Sequence, residues 1–234
     1  MVGAGPGDIN LLTMAAFKAI ETADVILFDD LVSQEVIALA RSETKLIHVG
    51  KRGYRPSCKQ TDINAAIVKL ALDGNHVVRL KSGDPLIFGR AGEEIAACEA
   101  AGIDVQIVPG ITSAQGAAAR LHTSLTHRDH ARRVQYITGH DRNGVLPTEL
   151  NWQAIADPHA TTVVYMPLRT MRELTARAIS LGLPPGTAAV AVANATRSNE
   201  TILYSTVACL ADDLERQQPG SPVVVMIGNV FAKK

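Results

Sequence analysis

Short runs of aliphatic residues alternate with helix-patterned segments along this chain, and that alternation limits its fold more than any other feature. Asp24-Val-Ile-Leu-Phe28, Leu46-Ile-His-Val49, His76-Val-Val-Arg-Leu80 and Asp104-Val-Gln-Ile-Val108 read as strands. Between them, residues 61–72 carry Ile63, Ala66, Ile67, Leu70 and Ala71 at helical spacing, with Thr61 or Asp62 as N-cap. Residues 92–101 read as a helix stopped by Gly102. Strand and helix in alternation predict an α/β architecture with a largely parallel sheet. Later in the chain, residues 134–137, 161–165, 188–193, 201–204 and 223–227 read as strands. Residues 171–181, closed by Gly182, and residues 207–216 read as helices. The short gap between residues 193 and 201 predicts a hairpin-like, antiparallel portion. We expect two α/β domains, residues 1–120 and 121–234, joined in the Arg/His/Thr-rich stretch 121–132. Met1-Val2 directly precedes Gly3, so a first strand has almost no length.

Composition excludes several classes. With 47% hydrophobic and 20% charged residues, the chain is not disordered. No apolar run is long enough to span a membrane, and no secretory signal pattern opens the chain. Cys58, Cys98 and Cys209 are far apart and form neither a disulfide framework nor a CxxC metal site, so a cytoplasmic location is expected. His122, His127, His130 and His140 have no familiar metal-ligand spacing and are read as loop residues. The net charge is +0, yet residues 41–90 hold ten basic and four acidic residues and residues 120–142 hold five and two. The segment between them holds no basic residue. Separate basic segments suit local capture of an anionic ligand rather than the continuous basic face of a nucleic-acid binder.

Gly3-Ala-Gly-Pro-Gly-Asp8 sits where a dinucleotide fingerprint would sit, but Asp8 stands where the fingerprint needs its third glycine. Pro6 also stiffens the turn. The loop therefore argues against a flavin or nicotinamide cofactor while still letting a backbone approach some small molecule closely.

Further segments carry a resemblance across essentially the whole chain. They are Gly3-Ala-Gly-Pro-Gly-Asp8 with Leu11-Leu-Thr13; Phe28-Asp-Asp-Leu-Val-Ser33; Val49-Gly-Lys-Arg52; and Val78-Arg-Leu-Lys-Ser-Gly-Asp-Pro-Leu-Ile-Phe-Gly-Arg90 with Glu93-Glu94. They continue with Val108-Pro-Gly-Ile-Thr-Ser113, Leu125-Thr-His-Arg128, Val164-Tyr-Met166 and Asn194-Ala-Thr196. Together these resemble the tetrapyrrole methyltransferase family, and within it the uroporphyrinogen-III C-methyltransferases.

The resemblance implies two α/β domains of the tetrapyrrole methylase type with the active-site cleft between them, usually as a homodimer. It implies S-adenosylmethionine as methyl donor, S-adenosylhomocysteine as product, and no metal. The implied substrate is uroporphyrinogen III, methylated at carbons 2 and 7 to precorrin-2 for sirohaem, cobalamin or haem d1 synthesis. Neither nucleic acid nor membrane is implied as a partner. Cofactor contacts would fall on Pro6, Ser82, Gly83, Asp84, Ile87, Thr112, Ser113, Met166 and Ala195. Asp29 matches a position proposed as proton acceptor, and Lys51 one proposed as proton donor. Arg90, Glu93 and Arg128 match positions on the substrate side. A polycarboxylate substrate also suits the basic segments, including Arg52, Arg79, Arg120, Arg132 and Arg133.

Four features depart from the family pattern: Ser82 where glycine is usual, Pro167 after Met166, Ala193 before Asn194, and the short start. A side chain at Ser82 would crowd the cofactor if that position required positive φ. Methylation of another precorrin, or non-catalytic binding of adenosylmethionine or tetrapyrrole as a sensor, are the alternative readings.

Overall fold

The computed structural model describes residues 1–50 and 59–232. Its backbone contacts fall into two compact units, Met1–Thr112 and Ser113–Lys234. The first contains β1 (Val2–Gly3), a 3-10 turn (Ile9–Leu11), α1 (Met14–Thr22), β2 (Val25–Phe28), α2 (Gln34–Ile37), β3 (Lys45–His48), α3 (Gln60–Leu72), β4 (Val77–Lys81) and α4 (Ala91–Ala100). The four strands lie in the order β1-β4-β2-β3, all parallel.

Side-chain parity explains the layering. In β2 every residue is buried, so both faces must be covered. Ile26 and Phe28 pack with Ala16 and Ile20 of α1 and with Val36 and Ile37 of α2. Val25 and Leu27 point the other way, into a cluster with Ile63 and Ile67 of α3 and Cys98 of α4. Each such aliphatic side chain contributes about 1.5–3 kcal/mol by leaving water, so this strand anchors the unit.

The second unit contains α5 (Ser113–Arg120), β5 (Arg133–Thr138), α6 (Trp152–Ile155), β6 (Ala160–Tyr165), α7 (Met171–Ser180), β7 (Ala188–Ala193), β8 (Thr201–Thr206), α8 (Leu210–Gln217) and β9 (Val223–Ile227). The sheet order is β5-β6-β9-β7-β8. Strands β5 and β6 are parallel, while β9 runs antiparallel to both β6 and β7. The expected β7–β8 hairpin is present and antiparallel. Alternate residues again divide between two cores. Val164, Ala191 and Val225 join α7 and α8, whereas Val163, Val190, Val192 and Met226 join Ala114 and Ala117 of α5.

The structure corrects two local expectations and adds one helix cap. Residues 104–108 do not form a ladder strand; only Val108 makes a bridge, to Val2. Helix α3 begins before Thr61, and Asp62 caps it from inside by accepting the Lys59 N–H at 3.3 Å. Helix α1 follows Thr13, whose hydroxyl accepts the Ala16 N–H at 3.1 Å, an N-cap that the sequence reading passed over.

Candidate active site

The parallel sheet of the first unit sends the ends of β1, β4 and β2 to one edge, where ligands bind in open α/β sheets. Residues 3–7 leave β1, residues 82–84 leave β4, and Asp29 leaves β2. The first two segments are stitched by paired bonds, Gly83 N–H to Gly5 O at 2.7 Å and Gly5 N–H to Gly83 O at 3.2 Å. Residues 108–112 join from the other side of β1, with Gly3 N–H donating to Val108 O at 2.9 Å. Glycine is required here by space. A Cβ on Gly3 would lie 2.6 Å from Gly110 N and 2.7 Å from Gly83 O.

This arrangement gathers Pro6, Ser82, Gly83, Asp84 and Thr112 on one edge. Pro6, Gly83 and Thr112 are buried, and Ser82, Asp84 and Ile87 half-buried. The Asp84 carboxylate accepts the Leu86 N–H at 2.8 Å and the Gly110 N–H at 3.0 Å, so it braces the loops against each other. The left-handed residue of this turn is Gly83, with φ 66°, and Ser82 is not left-handed. The anticipated conflict at Ser82 therefore does not arise from its backbone.

Asp29 lies half-buried at the end of β2. Its Oδ1 accepts the Leu31 N–H at 3.1 Å, and its Oδ2 accepts from Arg79 Nη2 at 3.1 Å. Behind it is a cluster that the sequence reading missed. Arg79 and Lys81 alternate along β4 with Val78 and Leu80, and both are buried. Glu94 of α4 is fully buried and accepts from Lys81 Nζ at 3.0 Å on both oxygens. It also accepts from Arg79 Nε at 3.3 Å and Gln60 Nε2 at 3.1 Å. Burial, then repulsion from Arg79, pushes the Lys81 ammonium below its usual pKa, while Glu94 works against that shift. Arg79 is thus occupied inside the protein, which corrects its assignment to carboxylate capture. Beside Asp29, Asp30 Oδ1 lies 2.7 Å from His48 Nε2, a pair that sequence spacing gave no reason to join.

Of the residues expected on the substrate side, Arg90 and Glu93 meet each other in a two-pronged pair, with Nε–Oε1 and Nη2–Oε2 both 2.7 Å. Their mutual hydrogen bond holds the Glu93 carboxyl below its usual range and raises Arg90. Both are exposed at the start of α4, where Arg90 has a left-handed φ of 56°. Arg128 is exposed before β5, and its carbonyl accepts from Arg132 Nε at 2.9 Å. Arg120 pairs with Glu200 at 3.0 Å and Arg133 with Asp157 at 2.9 Å, so these two are also engaged within the protein. Lys51 and Arg52 lie outside the described residues.

In the second unit, Met166 and Ala195 follow β6 and β7, whose ends share an edge because each lies antiparallel beside β9. Met166 is left-handed, with φ 53°, and is 41% exposed. Gly139 fits against its carbonyl, where a Cβ would come within 2.7 Å. Ala195 is buried between two left-handed residues, Asn194 (φ 50°) and Thr196 (φ 68°). The loop is held at both ends. Asn194 N–H donates to Pro222 O at 2.8 Å, and Thr196 N–H to Glu200 Oε2 at 2.5 Å. Non-glycine residues in this region are strained and concentrate at functional sites. Ser113 opens α5, half-buried. Among the described residues no group of three His, Cys, Asp or Glu is arranged to hold a metal, and no helix is long and apolar enough to cross a membrane.

Residues 1–211 match the sequence model of the Tetrapyrrole (Corrin/Porphyrin) Methylases. The chain belongs to this family. The resemblance drawn from the eight motifs is therefore borne out, as is the α/β fold class. Among curated relatives, the siroheme synthase of Methylococcus capsulatus is 45% identical over 98% of this chain and 48% of its own length. That of Nitrosococcus oceani is also 45% identical, over 99% and 49%. The chain spans about half the length of the curated relatives it matches. Among solved structures, a cobalt precorrin-4 methyltransferase superposes with TM-score 0.88 at 26% identity, covering 99% of this chain and 95% of that one. The uroporphyrin-III C-methyl transferase of Thermus thermophilus, complexed with S-adenosylhomocysteine, gives 0.84 at 31% identity, covering 98% and 96%.

Proposed function

We propose that this chain methylates uroporphyrinogen III at carbons 2 and 7, using S-adenosylmethionine, to give precorrin-2. One observation carries the reading. A half-buried carboxylate, Asp29, stands at the ligand-binding edge, oriented by the Leu31 N–H on one oxygen and by Arg79 on the other. The similarity to a uroporphyrin-III C-methyl transferase along 98% of the chain supports it.

The sulfonium donor supplies an electrophilic methyl group. What the protein must add is alignment of the reacting carbon and disposal of a proton from the ring system. The residues assigned to the donor are Pro6, Ser82, Gly83, Asp84, Ile87, Thr112, Ser113, Met166 and Ala195. In each unit they offer backbone edges and small side chains. Glycine-rich segments expose backbone edges, Asp84 spends its charge on two amides, and the left-handed turns at Met166 and Asn194 present backbone groups. Asp29 is assigned as proton acceptor and Lys51 as proton donor. Arg90, Glu93 and Arg128 are assigned to the substrate. Arg90 grips Glu93 with the same fork that binds a propionate, so a substrate carboxylate would exchange for, or share, that pairing. We propose further that the chain acts as a homodimer in the cytoplasm and feeds sirohaem or cobalamin synthesis.

The test is anaerobic incubation with uroporphyrinogen III and methyl-labelled S-adenosylmethionine, followed by mass spectrometry of the oxidised tetrapyrrole. Gain of two methyl groups is expected. Absence of transfer despite binding of S-adenosylhomocysteine would refute the reading. The TM-score of 0.88 to a cobalt precorrin-4 methyltransferase favours a second reading, methylation of a later corrin intermediate, and the same assay with such intermediates decides between them.

A further inference from the structure

The buried charges behind Asp29 call for an explanation. Arg79, Lys81 and Glu94 are buried, and among the described residues of the cluster only Asp29 reaches solvent, with 28% of its side chain exposed. Burying ion pairs is a poor way to stabilise a protein, since well-packed apolar residues of similar volume usually do as well or better. The position itself argues the same way. Val25 and Leu27, on the same face of the sheet, show that aliphatic side chains fit this layer.

The geometry shows what the charges accomplish. Each nitrogen of the Arg79 guanidinium has a partner. Its Nε donates to Glu94 at 3.3 Å, and Nη1 donates to Leu80 O at 2.9 Å and to Leu27 O at 3.4 Å. Only Nη2 faces the edge of the sheet, where it donates to Asp29 Oδ2 at 3.1 Å. A planar fork held by three bonds on two of its nitrogens is kept from swinging, so the third nitrogen, Nη2, holds the carboxylate of Asp29 in one orientation. Glu94 is the anchor of this fork. It has no solvent to turn to, and its other oxygen contacts are to Lys81 and Gln60. Lys81 supplies the second positive charge, so that Asp29 and Glu94 face two cations and the buried group is balanced.

We infer that Arg79, clamped by Glu94, is a positioning residue that aims the Asp29 carboxylate at the proton it must accept. The inference rests on Asp29 being the proton acceptor. Arg79 has only 5% of its side chain exposed. It acts through Asp29 alone, and that separates it from a residue that merely holds the fold together.

A double-mutant cycle on the intact chain tests this, reading methyl-label transfer to uroporphyrinogen III. The set is Arg79→Lys, Glu94→Gln, Asp29→Asn and the two doubles with Asp29→Asn, with thermal melting and S-adenosylhomocysteine binding as fold controls. Loss of a positioned general base lowers kcat of Asp29→Asn by about 100-fold. Arg79→Lys keeps the charge but loses the fork, and lowers kcat roughly 10-fold with KM for both substrates within about twofold. In the Asp29→Asn background the same change costs less than about twofold, because nothing remains to be aimed. Should Arg79→Lys fail to fold, the nearly isosteric Glu94→Gln runs the same cycle, with a loss of about threefold that likewise vanishes. An equal loss in both backgrounds, or a change confined to KM, overturns the positioning role and leaves Asp29 as base. A fully active Asp29→Asn overturns both readings.

Discussion

Replacing Gly3 with alanine adds one methyl group where three backbone segments meet. That methyl carbon would stand 2.6 Å from Gly110 N, 2.7 Å from Gly110 Cα and 2.7 Å from Gly83 O. All three are backbone atoms, so no rotamer change can relieve the overlap. The segments must part by about 1 Å to restore ordinary contact. Gly110 N–H reaches Asp84 Oδ2 at 3.0 Å, and Gly3 N–H reaches Val108 O at 2.9 Å. A displacement of that size takes at least the first bond beyond hydrogen-bonding range. Overpacking costs roughly 1–3 kcal/mol, and loss of a hydrogen bond to a carboxylate about 1.5–3 kcal/mol. The sum, about 2.5–6 kcal/mol, lowers the thermal midpoint by roughly 5–24 °C for a chain of this size. Differential scanning calorimetry reads that shift directly. Isothermal calorimetry with S-adenosylhomocysteine reads the second consequence, at least a tenfold weaker Kd, since residues 6, 82–84 and 112 ride on the displaced segments. Gly92→Ala is the matched control. Nothing lies within 4 Å of a Cβ there, it sits in α4, and the change gains up to about 1 kcal/mol of helix propensity. If Gly3→Ala melts and binds like the parent, the close packing of the three segments is not what shapes this edge, and the reasoning fails.

Three further changes are informative. The Lys81 ammonium is pushed down by burial, so between its lowered pKa and the ordinary lysine value, about 10.4, the unfolded chain binds more protons. Lys81 therefore contributes a stability that rises with pH across that window, and urea melts of Lys81→Met between about pH 8 and 10.5 should lack this component of the slope. An identical slope in the variant would sink the argument. Ser82 is not left-handed, so Ser82→Gly should bring no gain in methyl transfer and a loss of about 0.5–1 kcal/mol through backbone entropy; a faster enzyme would show that the serine does obstruct the donor. Glu200 bridges Arg120 and the amide of Thr196, so Glu200→Gln should loosen the loop around Ala195 and raise KM for S-adenosylmethionine about three- to tenfold with kcat nearly kept. Equal KM values would remove Glu200 from the support of that loop.

Much of this fold was legible because buried strands have little choice of residue. Val223–Ile227 and Ala188–Ala193 are apolar on both faces, and the apolar runs in the sequence have the same bounds. Helix ends were legible where glycine marks them: Gly102 and Gly182 take φ of 70° and 107°, conformations that other residues avoid. The strand expected at residues 104–108 shows the limit of such reading. Alternating apolar residues announce what a segment could pair, yet pairing needs a neighbour running alongside, and this segment meets β1 only at the Val2–Val108 bridge. The site divides in the same way. The motif positions 6, 82–84 and 112 converge because parallel strands end at one edge, which strand order alone dictates. The ionic cluster did not declare itself, because Arg79 and Lys81 look like solvated residues when only their charge is considered. Their parity in β4 says otherwise. Val78 and Leu80 occupy one buried face of the sheet, so residues 79 and 81 must enter the other, beneath α3 and α4. Charged side chains driven into a covered layer must find partners there, and the second of two adjacent glutamates on α4 supplies one. Glu93 turns to solvent and Arg90, while Glu94, one residue on, turns inward with no exposure. The signal that reveals the cluster is therefore joint: alternating basic residues in a strand covered on both faces, followed in the next helix by an acid at an inward position. Neither half carries meaning without the topology that sets them face to face.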